Sequence, residues 1–380
     1  MRYRTFGRLN WKPSALGFGA MRLPIVDGDS KSIDEPLAQR MVRWAIDQGV
    51  NYVDTAYPYH GGNSERLLGK ALADGYRERV KLATKLPSWL IKTRGDFDRY
   101  FDEQVERLQT NRIDFYLLHG LGAERWASLR DLRVLEWAER TMSDGRIGHL
   151  GFSFHDTFEA FQGIVDAYDS WTFCQIQYNY MDTDYQAGTR GLKYAADRGL
   201  AVVVMEPIRG GQLAKPPAAE IAALWDGAPH RRTPADWALQ WLWNQPEVSV
   251  VLSGMSTMAQ VRENVGSASV SGAGSLTDAE RILFEAVRHA YRDLIPIACT
   301  GCGYCQPCPS GVNIPQILGL YNDASMYNDG DGSRDRYRWM DEAQRAGSCA
   351  RCGTCESQCP QKLPIRAWLE KADALLTTAG

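Results

Sequence analysis

Residues 51–75 read NYVDTAYPYHGGNSERLLGKALADG. A short apolar run ends in Asp54, a polar Gly-rich turn follows, and Leu67, Leu68 and Ala71 then recur at helical spacing until Asp74-Gly75. An apolar run of strand length followed by 3.6-residue periodicity and a terminal glycine is one strand–helix unit. Outward from it the unit repeats. Upstream, SALGFGAM (14–21) precedes EPLAQRMVRWAIDQG (35–49), where Leu37, Met41, Ala45 and Ile46 share a face and Gly49 stands at the stop position. Downstream, the strand-like runs RVKLATK, IDFYLLH, IGHLGFS, TFCQIQ, AVVVMEP and VSVVLSG each precede a helical pattern, the last being TMAQVRENVGSA. Eight such units in about 250 residues predict an α/β fold, a (β/α)8 TIM barrel, over residues 1–270. An open doubly wound sheet would place Gly-x-Gly-x-x-Gly after an early strand, and GFGAMR does not supply it.

With 380 residues the chain exceeds one ordinary core, so a second, smaller domain is expected. SASVSGAGSL (267–276) has the composition of a linker, which sets that domain at 271–380. Its opening helix, DAERILFEAVRHAYRDL, leads into two cysteine runs, CTGCGYCQPCP (299–309) and CARCGTCESQCP (349–360), each followed by a helical pattern. NDGDGSRD (328–335) lacks the Gly and Glu spacing of a calcium loop and reads as a solvated loop. A net charge of −3 points to no nucleic-acid partner. No apolar run is long enough to span a bilayer and the N-terminus has no secretory pattern, so the expectation is a cytoplasmic protein with no membrane partner.

Eight of the nine cysteines lie in the two runs. In a reducing compartment they read as metal sites rather than disulfides. Cys349-x2-Cys352-x2-Cys355-x3-Cys359-Pro360 has the spacing of a cluster-binding run whose fourth cysteine reaches the other cluster. Zinc needs four ligands, usually as two separated pairs, and two runs of four exceed that need. Two 4Fe-4S clusters are therefore expected, one on Cys299, Cys302, Cys305 and Cys359, the other on Cys349, Cys352, Cys355 and Cys308. The first run departs from the pattern, with two residues rather than three between Cys305 and Cys308. Cys174, mid-strand, reads as a core residue. The helices after each run give the tail a resemblance to small, mostly helical ferredoxin-like dicluster domains.

Barrel enzymes carry their chemistry at the C-terminal ends of the strands. The second, third and fourth strands end VDTAYPYH, ATKLP and YLLHG, which brings Asp54, Tyr59, Lys85 and His119 to one rim. Each alone has an ordinary reading as a cap, a surface aromatic, a strand end or a core histidine; together on consecutive strand ends they form a catalytic constellation. Trp89, Trp126, His60 and His155 are placed at the mouth of the same pocket.

These segments, with GRIGHLGFS, CQIQYN and SGMSTMAQVRENV, resemble the aldo/keto reductase family over roughly residues 3–266, and the whole chain resembles the branch that carries two C-terminal 4Fe-4S motifs. The resemblance implies an oxidoreductase that interconverts a carbonyl and an alcohol on a small molecule. Tyr59 would be the general acid, Lys85 the cation that lowers its pKa, Asp54 the partner of Lys85, and His119 the donor to the substrate oxygen. It implies NAD(P)(H) held by Gly19, Ala20 and Met21 at the ribose, Ser153 and Gln175 at the carboxamide, Met205 at the nicotinamide face, and the MEPIRGG segment with Pro207, Ile208, Gly210 and Gly211 around the pyrophosphate. Gly254, Gln260 and Asn264 fall at the adenosine. Phe154 stands where the family has Asn, Met205 where it has a stacking aromatic, and Gly254 and Gln260 where cations often clamp a 2′-phosphate. NAD(H), NADP(H) and a flavin in the same cleft all stay open. The clusters imply electron exchange with a ferredoxin- or flavodoxin-like carrier. The alternatives are an ordinary nicotinamide-dependent reductase with a structural or redox-sensing tail, and a non-catalytic electron-transfer subunit.

Overall fold

The computed structural model describes residues 1–299 and 301–378. Its strands are β1 (Leu16–Gly19), β2 (Tyr52–Asp54), β3 (Lys81–Leu86), β4 (Ile113–Leu121), β5 (Ile147–Phe154), β6 (Phe173–Gln177), β7 (Ala201–Met205) and β8 (Val248–Gly254). They close into a barrel in chain order, every neighbouring pair parallel and β1 also paired with β8. The helices that cover it are α1 (Glu35–Asp47), α2 (Asn63–Ala71), α3 (Gly95–Arg107), α4 (Ala123–Asp131), α5 (Val134–Ser143), α6 (Phe158–Asp166) and α7 (Gly188–Asp197). After β7 come α8 (Ala219–Asp226) and α9 (Pro234–Trp243), and after β8 comes α10 (Met258–Ser269). The tail holds α11 (Asp278–Asp293), α12 (Ile314–Met326), α13 (Gly330–Arg338), α14 (Thr354–Gln358) and α15 (Ile365–Thr377).

Local chemistry accounts for these elements. Helix α1 starts where the Asp34 side chain accepts from Leu37 N at 3.0 Å, and buries Ala38, Met41, Val42, Ala45 and Ile46. It is followed by Gly49 with φ of 97°, a conformation that L side chains rarely adopt. The barrel interior is filled by Tyr52, Ala83, Phe115, Leu117, Phe173, Val203 and Val250, with Phe6 from the N-terminal segment packed on Tyr52, Phe115 and Phe173. Gly7 beside it has φ of 50°, and a Cβ there would lie 2.5 Å from the Ala201 nitrogen, so only glycine lets this segment approach so closely.

The chain divides into two compact units, Met1–Gly210 with Ala235–Leu276, and Gly211–Pro234 with Thr277–Gly380. A single division at 270/271 leaves 211–234 with the barrel; here that segment packs with the tail. Trp225 of α8 meets Phe284 of α11 with ring centroids 5.3 Å apart, Glu280 accepts from His230 at 3.1 Å and pairs with Arg232, and Lys215 pairs with Asp329. The 267–276 stretch is not a free linker, since its first residues finish α10 and Ser267, Ser271 and Leu276 are buried. The 328–335 stretch is not a solvated loop: Asp329 caps α13 by accepting from Gly332 N at 2.9 Å, so a polar sequence enters a helix through its cap. The core of this unit gathers Ile297, Ile317, Leu318, Tyr337, Leu369 and Leu376. Among the described residues, no helix is long and apolar enough to cross a membrane.

Candidate active site

Asp54 ends β2 and Lys85 stands one residue before the end of β3; both are buried, their side chains 3% and 1% exposed. Lys85 Nζ donates to Asp54 Oδ1 at 2.6 Å, to the Thr55 carbonyl at 2.7 Å and to Tyr59 Oη at 3.4 Å. Three acceptors saturate an ammonium. Burial pulls the Lys85 pKa down, but Asp54 and Tyr59 outweigh it, and the group is held above its ordinary value as a cation. Asp54 Oδ2 is buried with no partner.

Tyr59 is placed by the turn between β2 and α2. His60, Gly61 and Gly62 take φ of 53°, 64° and 94°, which reverses the chain within a few residues. His60 Nε2 accepts from Leu23 N at 3.2 Å and its Nδ1 reaches the Ser30 carbonyl at 2.6 Å, so it ties the loop after β1 to this turn. The expectation that Lys85 holds Tyr59 below the usual tyrosine pKa is corrected. Burial raises it, Lys85 only partly offsets that, and the phenol stays above its ordinary value. His119, near the end of β4, lies edge-on to Tyr59 at 6.2 Å between ring centroids and to Trp89 at 5.2 Å. Burial, then the charges of Lys85, His155 and Arg125, holds His119 well below the ordinary histidine value, so it is neutral. Its Nδ1 is buried without a partner. Trp126 is buried and packed on Trp171 at 5.8 Å, while His155 Nδ1 meets Gln186 Oε1 at 3.2 Å.

The residues expected to hold a dinucleotide fall on the same strand ends. Ser153 on β5 accepts from Gly120 N at 2.8 Å. Gln175 on β6 is buried and its Oε1 has no partner. Gly19 ends β1, where a Cβ would come 3.3 Å from the Ser253 carbonyl; Ala20 is buried and Met21 is 49% exposed. Met205 ends β7, followed by buried Pro207, partly exposed Ile208, and Gly210 and Gly211 with φ of 64° and 101°. Gln260 sits in a capping box at the start of α10, its Oε1 accepting from Ser256 N at 2.8 Å, and Asn264 donates to Ser253 Oγ at 2.9 Å.

Sequence reasoning missed Arg22. A Cβ added to Gly254 would lie 2.8 Å from Arg22 Cγ, and one added to Gly210 would lie 3.9 Å from Arg22 Nη2, so this side chain runs between the ends of β8 and β7. Gly210 and Gly254 are 44 positions apart in the chain, so no local signal joined them to Arg22. The other nearby arginines are engaged, Arg209 with Asp182 at 3.3 Å and Arg262 over the Trp44 ring at 5.9 Å.

In the second unit, Cys299, Cys302, Cys305 and Cys359 line one partly open cavity, with Ile314, Leu318 and Leu363 in its walls. Cys349, Cys352 and Cys355 follow one another into α14, and Cys308 is partly buried. Among the described residues no three His, Cys, Asp or Glu side chains converge on a single metal ion. Four sulfurs spread around a cavity suit a multi-iron cluster better than a lone ion. Cys174 is buried in β6, where desolvation raises its pKa and leaves it an inert thiol.

Comparison with known proteins finds two families along the chain. Residues 15–272 match the family model described as the aldo/keto reductase family, and residues 298–363 match the 4Fe-4S dicluster domain. L-galactose dehydrogenase of Arabidopsis thaliana is 28% identical over 283 residues, 69% of this chain and 86% of that protein. The NADH-specific methylglyoxal reductase of Escherichia coli strain K12 is 24% identical over 336 residues, 75% of this chain and 96% of that protein. Among solved structures, the holo form of aldo-keto reductase AKR11C1 from Bacillus halodurans is 26% identical with a TM-score of 0.62, covering 76% of this chain and 96% of that one.

Proposed function

The chain belongs to the aldo/keto reductase family and carries a 4Fe-4S dicluster domain, and from that premise we propose that this oxidoreductase interconverts a carbonyl and an alcohol at Tyr59 while exchanging electrons with a ferredoxin- or flavodoxin-like carrier. The observation that carries the reading is the buried Lys85 ammonium within reach of both Asp54 and the Tyr59 hydroxyl.

In the reducing direction a carbonyl oxygen at the rim becomes an alkoxide, which is more basic than a phenolate. Tyr59 therefore gives up its proton downhill even though its pKa lies above the ordinary value. The phenolate left behind faces Lys85, a cation already oriented by Asp54 and the Thr55 carbonyl, so no reorganisation is needed when the charge appears. Neutral His119 orients the same oxygen without competing as an acid. In the oxidising direction the same groups accept the proton.

The residues present fit a nicotinamide. The unpartnered Gln175 Oε1 suits a carboxamide N–H, and Ser153 offers a hydroxyl beside it. Gly19, Ala20, Met21, Met205, Pro207, Ile208, Gly210, Gly211, Gly254, Gln260 and Asn264 would hold the rest, with Arg22 as a cation beside Gly210 and Gly254. When bound, the dinucleotide supplies or accepts the hydride. Flavin chemistry in the same cleft would join two-electron to one-electron transfer. The two cysteine quartets, Cys299, Cys302, Cys305 with Cys359 and Cys349, Cys352, Cys355 with Cys308, fit two 4Fe-4S clusters, each of which carries one electron when bound.

The test uses full-length, anaerobically prepared protein with methylglyoxal or L-galactose and NADH or NADPH. Turnover with Tyr59→Phe is expected to fall by about 10²–10⁴ while substrate KM stays within a few-fold. Turnover equal to that of the wild type refutes the site. Clusters that change redox state on the timescale of turnover support the electron-exchange part, whereas clusters unchanged through many turnovers leave the tail structural.

A further inference from the structure

We infer that Glu65 is a positioning residue for the Tyr59–Lys85 pair: one buried carboxylate ties the strand that carries Lys85 to the turn that carries Tyr59. Glu65 lies in the first turn of α2 with its side chain fully buried. Its Oε1 accepts from Thr84 Oγ1 at 2.7 Å and from Gln104 Nε2 at 2.7 Å. The same Gln104 nitrogen donates to the Lys85 carbonyl at 3.0 Å, and Gln104 Oε1 accepts from the Tyr116 hydroxyl at 2.7 Å. This side of the carboxylate therefore holds residues 84 and 85 of β3. The other oxygen, Oε2, accepts from Arg107 Nη1 at 3.2 Å. That nitrogen also reaches the Tyr57 carbonyl at 3.4 Å, and the guanidinium lies 4.2 Å over the Tyr57 ring. A Cβ on Gly62 would be 3.1 Å from Arg107 Nη1, so the arginine touches the turn on both sides of Tyr59.

A purely structural role explains this arrangement poorly. A buried Arg–carboxylate pair contributes little net stability compared with apolar packing of the same volume, because both charges lose their hydration. What it does supply is fixed geometry, since one acceptor oxygen serves two donors from β3 and α3 and the other takes a planar guanidinium. A glutamine in its place has a single acceptor oxygen and turns a donor toward Thr84 and Gln104 or toward Arg107. The spacing most exposed to such loosening is the 3.4 Å between Lys85 Nζ and Tyr59 Oη.

The inference rests on the reading of Tyr59 as the acid, and its test is chosen to stand apart from turnover. The Tyr59 hydroxyl is faced by Lys85 from β3, Asp54 from β2, His119 from β4 and Glu206 from the loop after β7. Glu65 is faced by Arg107 from α3, Tyr116 from β4 and, through Arg107, by Glu103 and Tyr57. Lys85 pulls the Tyr59 pKa down. Loosening their contact therefore raises that pKa, whereas removing a nearby anion by its field alone would lower it, and the two roles differ in sign.

The full-length chain with 3-fluorotyrosine replacing Tyr59 is titrated by fluorine NMR without substrate, in the native background and with Glu65→Gln. The expected result is a Tyr59 midpoint higher by about half a pH unit or more in Glu65→Gln. A folded variant whose midpoint is unchanged or lower overturns the inference, and so does a loss confined to thermal stability. Should Glu65→Gln fail to fold, Arg107→Lys cuts the same bridge while keeping the charge, and the same upward shift is required of it. With methylglyoxal and NADH as probes, kcat of the variant is expected to fall about tenfold with KM within about twofold. If the native enzyme does not turn over methylglyoxal, that counts against the proposed function, while the titration still decides the role of Glu65.

Discussion

Replacing Asp54 by leucine removes one half of the buried pair beneath Tyr59, and its cost follows from the geometry. Lys85 and Asp54 are almost wholly removed from water and 2.6 Å apart. Breaking such a pair leaves an uncompensated buried charge, a loss of about 3–5 kcal/mol. Lys85 keeps the Thr55 carbonyl and the Tyr59 hydroxyl as acceptors, so the low end applies. At roughly 2–4 °C per kcal/mol for a domain of this size, the barrel transition of Asp54→Leu should fall by about 6–12 °C. Lys85→Met strands the carboxylate and should cost a similar amount. The double variant Asp54→Leu/Lys85→Met removes both desolvated charges and should lose less than the two singles added together, with a coupling of about 3 kcal/mol. Scanning calorimetry of the full-length protein near pH 7, following the barrel peak, is the assay, because a two-unit chain does not unfold in one step. The sign of the pH dependence is also fixed. Lys85 is held above its ordinary pKa, so its contribution is complete below about pH 10 and fades only as pH rises through the folded value. The coupling should therefore persist to about pH 9 on the alkaline side, whereas burial, which raises the Asp54 pKa, makes it fade at a higher pH on the acid side than a free carboxylate would. A double variant whose loss equals the sum of the singles refutes the reasoning.

His119 is neutral with its pKa well below the ordinary value, so its contribution to stability is present above about pH 6.5 and is lost as pH falls below it. His119→Gln should shrink the fall in Tm between about pH 7 and about pH 5, and an unchanged fall would show that other groups set it. Without cations at Gly254 and Gln260, calorimetric affinities for NADH and NADPH should agree within about tenfold, while Arg22→Ala should weaken both by a similar factor. A strong preference for NADPH that survives Arg22→Ala would place the clamp elsewhere. Cys359→Ser, in the wall of the tail cavity, should lower the iron bound per chain by about half, and full iron content in that variant would remove Cys359 from the ligand set.

Much of the molecule was legible one residue at a time, because two periodicities carry it. Eight apolar runs, each with a helix behind it, leave a closed parallel barrel as the economical solution, and once the barrel is assumed all strand ends share a rim. That is why Asp54, Tyr59, Lys85 and His119 could be assembled from segments up to 65 residues apart. Cysteine spacing is equally local, and the two runs announced iron–sulfur chemistry without any fold. Polar surface helices are less legible. Residues 328–335 hide a helix because its signal is a single cap, Asp329, whose partners come from Gly332 and from Lys215 over a hundred positions away.

Tertiary structure decided the quantities that depend on how much water is excluded and on what meets across the fold. Sequence spacing put a cation near Tyr59 and suggested a lowered pKa, but the balance between that cation and burial is set by the packing, and burial won. Glu65, Gln104 and Arg107 look like ordinary residues of two amphipathic helices, and nothing in their spacing joins them. Only when α2 and α3 lie side by side on the barrel do they meet between β3 and the Tyr59 turn. Segment 211–234 lies between β7 and α9 in the chain, yet packs with the tail through Trp225, Arg232 and Lys215, whose partners lie 48 or more residues downstream. Hydrophobic periodicity is a property of neighbours along the chain, so it was present in the sequence. Desolvation and long-range pairing are properties of neighbours in space, which exist only once the chain has folded.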